Sequence, residues 1–160
     1  MVCSGCHADL PETTGPTHEY MLSSPACWAV FGELLAREYS NPSLMRLHRL
    51  TVDAYAVQHP GVDVPPARRS VGVHLSRLYL LLERGWPVER ANDAMLVINR
   101  FKDRCEWLAP PSMAGTLTVQ DVMGATSQDE HEERVMAWAR SVWSAWGIHH
   151  ETVRRWCASL

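Results

Sequence analysis

Four residues near one end of this chain have the chemistry of metal ligands: Cys3, Cys6, His18 and Cys27. Cys3-Ser4-Gly5-Cys6 is a two-cysteine knuckle, with the two-residue gap that lets both thiolates reach one tetrahedral ion. Gly5 permits the tight backbone turn that this requires. Cys27 falls in the first turn of an expected helix, where the helix dipole favours a thiolate. His18, in the intervening loop, completes a Cys3His set of the kind that closes a zinc site. His7 is the alternative fourth ligand, but its adjacency to Cys6 makes reaching the same metal awkward. The run Cys3 to His7 also matches a haem c attachment pattern, which requires export. A thioredoxin-like dithiol would follow a strand and open a helix, and neither is visible here. Zinc is the expected cofactor.

Histidines further along form a second constellation. His48, Val52, Tyr55 and His59 share one helical face, at offsets of four, three and four. With a rise of 1.5 Å per residue, His48 and His59 lie roughly 16 Å apart and cannot share a metal. His59 sits in the last turn of its helix and His74 one or two turns into the next. An antiparallel hairpin would bring them level. His150, beyond the tryptophan-rich helix, could then complete a three-imidazole site with one open position, the arrangement of a catalytic metal. Tyr55 or Asp53 would there position water or donate a proton. Asp53 also follows Arg49 by four residues, the spacing of a solvent-side ion pair.

The elements that must position these groups are helical. Residues 7–24, with Pro11, Gly15 and Pro16, read as loop. Ser24-Pro25 opens a helix running to about Tyr39, and Asn41-Pro42 opens a second, from Ser43 to His59. A third, from Ala67 to Arg84, carries Val71, Leu75, Leu78 and Leu82 at helical spacing. A fourth, from Val88 to Asp103, carries Ala91, Met95, Ile98 and Phe101. Thr118 and Asp121 mark a short helix. Ser127 and Glu130 form a capping box for the last long one. Its stripe of Val135, Trp138, Val142 and Trp146 reads as core, with Trp143 offset towards a pocket or partner. Gly147 ends or bends that helix before His149. No strand and no repeat is evident.

The sequence is therefore all-α: a single-domain bundle of about five helices. Residues 1–27 form a zinc-binding loop packed on a bundle spanning 25–160. A length of 160 residues suits one core, and 46% apolar with 21% charged residues is the balance of a soluble globule. A net charge of −3 gives no reason to expect nucleic acid or an anionic membrane. There is no Gly-rich phosphate loop, serine elbow or basic stripe with interleaved aromatics. No run approaches a membrane span, and the N-terminus lacks the pattern of a secretory signal, so the expected location is cytoplasmic. Cys105 and Cys157 stand apart as inert thiols. The expected partner is a protein or small molecule, with a homodimer left open by the last helix.

From the knuckle to Trp156 the chain resembles a bacterial domain-of-unknown-function family of small proteins. The likeness rests on CSGC at 3–6, THEYMLSSPACW at 17–28, LTVDAYAVQHPG at 50–61, VHLSRLYLLLERG at 73–85, LTVQDV at 117–122, and WARSVWSAW at 138–146 with His149-His150. It brings no activity with it. It implies that the cysteines and the box around His59 belong to one design. Two functions follow as expectations: a zinc-stabilised binding or interaction module, or a metal-dependent hydrolase or lyase built on His59, His74 and His150.

Overall fold

Helix starts and stops in this chain follow the side chains at their ends. A computed structural model, describing all 160 residues, contains eight α-helices. They are α1 (Pro25–Tyr39), α2 (Pro42–Met45), α3 (His48–Gln58), α4 (Pro65–Leu82), α5 (Ala91–Ile98), α6 (Val119–Met123), α7 (Gln128–Ala145) and α8 (His150–Trp156). The Ser24 hydroxyl accepts from the Cys27 N–H at 3.1 Å and caps α1. Thr118 and Asp121 form a capping box on α6. Ser127 caps α7, but Glu130 reaches back to the Thr126 N–H and hydroxyl, both at 2.9 Å, and not to Ser127.

Eight helices replace the expected five because one long segment divides in two and the short α6 and α8 stand as separate helices, while a second long segment is shortened. The expected Ser43–His59 helix divides at Arg46-Leu47 into α2 and α3. The break leaves Leu44 and Leu47 both buried, and α3 starts at Leu47 with no side-chain cap, so no start signal marks it in the sequence. The expected Val88–Asp103 helix is α5 flanked by short 3-10 turns at Val88–Arg90 and Lys102–Arg104. Gly147 opens a third such turn between α7 and α8.

One cluster of buried apolar residues runs from Cys3 to Cys157, with α3 packed between α4 and α7 at its centre. Every residue from Asp53 to His59 is buried, so this stretch has no solvent face. Its polar groups are bonded instead. The indole N–H of Trp138 donates to Gln58 Oε1 at 3.0 Å, and that of Trp146 to the Val57 carbonyl at 3.0 Å. Gln58 Nε2 donates to the Leu117 carbonyl at 2.7 Å. The stripe of Val135, Trp138, Val142 and Trp146 is thus core, and two of its members also satisfy α3. A buried carboxylate, Glu38 of α1, accepts from the Thr51 hydroxyl at 2.5 Å and from His131 Nε2 at 3.0 Å, linking α1, α3 and α7. No helix is long and apolar enough to cross a membrane.

Trp138→Phe removes the pyrrole ring with its N–H, and so strands Gln58 Oε1 in the core. Urea unfolding followed by circular dichroism should give a loss of about 1–3 kcal/mol. A loss below about 0.5 kcal/mol would show that this bond carries no stability.

Candidate metal centre

Three segments remote in sequence meet at the lower end of α3. The first is the N-terminal knuckle, where His7 N–H donates to the Cys3 carbonyl and Cys3 N–H to the Ala8 carbonyl, both at 2.9 Å. His7, at φ 63°, takes the left-handed conformation that closes this turn, and its side chain is exposed. The second is the first turn of α1, which carries Cys27. The third is His59, which ends α3 just before Pro60-Gly61.

Together they bring Cys3, Cys6, Cys27 and His59 into one group whose ligand atoms all lie within 4.8 Å of one another. All four residues are at most 2% exposed. Cys6 Sγ is 3.7 Å from Cys27 Sγ, and Cys27 Sγ is 3.5 Å from His59 Nε2. A disulfide needs about 2.05 Å, so these are separate sulfurs. His59 Nδ1–H donates to the Tyr55 carbonyl at 2.8 Å, which leaves the Nε2 lone pair facing the sulfurs. The Tyr55 hydroxyl donates to Cys27 Sγ at 3.5 Å, and the Ser24 N–H to Cys3 Sγ at 3.4 Å. The Tyr55 ring lies between Phe31 (3.8 Å between centroids) and His59 (4.0 Å), fixing both hydroxyl and imidazole.

Three thiols this close cannot all ionise unaided. Hydrogen bonds from Cys27 and Cys6 drive the Cys3 thiol far below its ordinary range. The same contacts with Cys3 and Cys6, reinforced by burial, drive Cys27 far upwards. For Cys6 the bond to Cys27 pulls down, but Cys3 and burial outweigh it and push the thiol up to about 11. A cation at the centre would remove this conflict by taking all three as thiolates. The group could hold a metal ion.

Gly5 is required for this arrangement. A Cβ there would lie 2.3 Å from His59 Cδ2 and 2.4 Å from the Leu22 carbonyl oxygen. Gly61, at φ 75°, has a similar constraint: a Cβ would meet the Tyr20 carbonyl oxygen at 2.3 Å. The His-Pro-Gly sequence therefore turns the chain away from the cluster while packing it against the loop that carries His18.

His18 itself lies outside the group. Its Nδ1 accepts from the Tyr20 N–H at 3.2 Å, and its ring packs edge-on against Tyr20 and Trp28. Burial lowers its basicity. His59 takes the place expected of His18 because the end of α3, and not the loop, comes against the knuckle. The three expected catalytic histidines are likewise separated by their partners. His59 joins the cysteines. His74 Nδ1–H donates to Asp53 Oδ1 at 2.7 Å. His150 stacks on Trp143, 3.8 Å between centroids, and its Nε2 donates to the Trp143 carbonyl at 2.7 Å, capping the end of α7. Tyr55 serves the cysteine group. Asp53, expected to pair with Arg49 on the solvent side, is buried and bonded to Arg77 at 2.7 Å and 2.9 Å. Cys105 and Cys157 are buried free thiols, the former pushed up to about 12 by burial.

An all-α fold with three N-terminal cysteines and a helix-terminal histidine in one buried group is a class defined by its centre. The chain belongs to a family described as a family of unknown function (DUF5946), which it matches over residues 1–147. No curated protein and no solved structure matches it.

Gly5→Ala should displace His59 without touching a ligand. Titration with Co2+, followed by thiolate-to-cobalt charge transfer, should show at least a tenfold weaker site than in the wild type, with Ser4→Ala unchanged. Equal affinity in Gly5→Ala would mean that the contact yields freely.

Proposed function

We propose that Cys3, Cys6, Cys27 and His59 hold one structural zinc ion, and that the protein works as a zinc-stabilised binding or interaction module. The spacing of the ligand atoms carries this reading. A zinc tetrahedron with Zn–S of about 2.3 Å and Zn–N of about 2.0–2.1 Å has S···S edges of about 3.8 Å and S···N edges of about 3.6 Å. Of the six edges here, Cys6–Cys27 is 3.7 Å and Cys27–His59 is 3.5 Å, and none exceeds 4.8 Å. Four buried protein ligands fill such a tetrahedron and leave no position for a substrate, which is the mark of a structural site. When bound, the ion would supply a cross-link between the knuckle, α1 and α3. Around it, the Ser24 N–H and Tyr55 hydroxyl support the thiolates, and the Tyr55 carbonyl orients the imidazole.

The alternative, a metal-dependent hydrolase or lyase centred on His59, His74 and His150, lacks the convergence it needs, since His59 joins the cysteines, His74 is held by Asp53 and His150 by the Trp143 carbonyl.

Metal content by mass spectrometry tests the assignment. The wild type should carry one zinc per chain, lost in Cys27→Ser and in His59→Ala and retained in His18→Ala. Chelation should lower the melting temperature by about 10 °C or more, since several kcal/mol of cross-link would be lost. Retention of zinc by His59→Ala with loss in His18→Ala would overturn the ligand set.

A further inference from the structure

A basic concavity of this acidic protein lies away from the cysteines. Between α3, α4 and α5 is a cavity of about 540 Å3, a size that suits a small organic ligand. Arg49, Arg69, Arg77 and Lys102 line it, together with His48 and His74. Lys102 is the chain's sole lysine. Asp53 is the only acid in the wall, and its charge is met by Arg77, with both side chains 1% exposed. Arg69 has the exposed Asp103 at 3.6 Å outside the wall, whereas Arg49 and Lys102 have no carboxylate partner. The cavity is thus a concentration of positive charge in a chain of net charge −3.

The deeper polar groups are held in fixed orientation. Asp53 Oδ1 accepts from His74 Nδ1–H and from Arg77 Nε, each at 2.7 Å. A carboxylate only accepts when ionised, so the proton is on Nδ1 and Nε2 of His74, which has no partner in the fold, is left for the cavity. Arg77 Nη1 donates to the Ala91 carbonyl at 2.6 Å, but Nη2 is buried with no hydrogen-bond partner. This leaves a buried guanidinium donor of a residue in the cavity wall unpaired, a cost to the fold. Val52, Val73 and Met95 add an apolar side to the same cavity.

We propose that this cavity binds a small organic phosphate, with Arg49, Arg69 and Lys102 attracting the phosphoryl group, the apolar side taking the organic part, and His74 Nε2 as an oriented hydrogen-bonding group. A doubly charged, multi-acceptor anion uses three separate cations better than a single carboxylate does. The site is independent of the proposed zinc.

Phenyl phosphate is the probe, with inorganic phosphate and benzoate alongside, added to full-length protein carrying 13C-methyl methionine. Saturable shifts of the Met95 methyl are expected with phenyl phosphate, at least tenfold tighter than with benzoate and tighter than with inorganic phosphate. In the double variant Arg49→Gln/Lys102→Gln, affinity should fall at least tenfold. Arg154→Gln, a basic residue paired with Glu83 and outside this wall, should bind as the wild type does. Absence of saturable binding, equal affinity for benzoate, or an unchanged double variant would each overturn the proposal.

Discussion

The seven residues from Asp53 to His59 are buried on every side, and they include a carboxylate, a phenol, an amide and an imidazole. Leaving any of these polar groups unpaired would cost on the order of 1–3 kcal/mol, more for the charge. The fold is arranged to prevent that. α4 supplies Arg77 and His74 for Asp53. α7 supplies the Trp138 indole for Gln58 and the Trp146 indole for the last turn's carbonyl. The N-terminal segment, which makes no regular element apart from one isolated bridge between Val2 and Asp9, supplies the Cys3 and Cys6 sulfurs, and the first turn of α1 supplies that of Cys27, against His59. Without those partners α3 could not lie buried between α4 and α7.

This burial makes one helix serve two chemistries, one at its C-terminal end and one at its middle. His59 at the C-terminal end faces three sulfurs, while Asp53, six residues earlier, orients His74 at the edge of the basic cavity. Tyr55 stands between the two in sequence and belongs to the first: its carbonyl receives His59 Nδ1–H and its hydroxyl reaches Cys27. The box at 50–61 therefore encodes contacts to the knuckle, the loop carrying Tyr20, α1, α4, α7 and the stretch at Leu117. Gly61 belongs to the same logic, since only hydrogen at its α-carbon lets the chain leave the helix against the Tyr20 carbonyl.

Much of the architecture was legible because it is written in local chemistry. Ser24-Pro25, Thr118 with Asp121, and Ser127 mark helix starts that the structure reproduces, and the stripe on α7 is buried as its spacing implies. The break between α2 and α3 was not legible, because Arg46-Leu47 contains no cap, proline or glycine. Three members of the cysteine–histidine group were evident from the knuckle and from Cys27 at a helix start. The fourth was not, because choosing His59 over His18 depends on which element packs against the knuckle, a tertiary fact. Asp53 was misplaced for a related reason. Its spacing from Arg49 is correct for an exposed helix, and nothing local reveals that this stretch of α3 has no exposed side.

The buried sulfurs also bear on what kind of chemistry the N-terminal group could undertake. A redox dithiol exchanges through attack by an outside thiolate, which requires access to at least one sulfur. Cys3 and Cys27 are fully buried and Cys6 is 2% exposed, so no such attack is open in this fold. Closing Cys6 to Cys27 would also require their sulfurs to approach from 3.7 Å to about 2.05 Å, pulling the knuckle towards α1. The hydrogen bonds from the Ser24 N–H and the Tyr55 hydroxyl point the other way, since they stabilise sulfur as thiolate. Donors aimed at the sulfurs, an imidazole with Nε2 left free, and no route for an outside reductant together fit a group that could hold a metal ion better than a cycling disulfide.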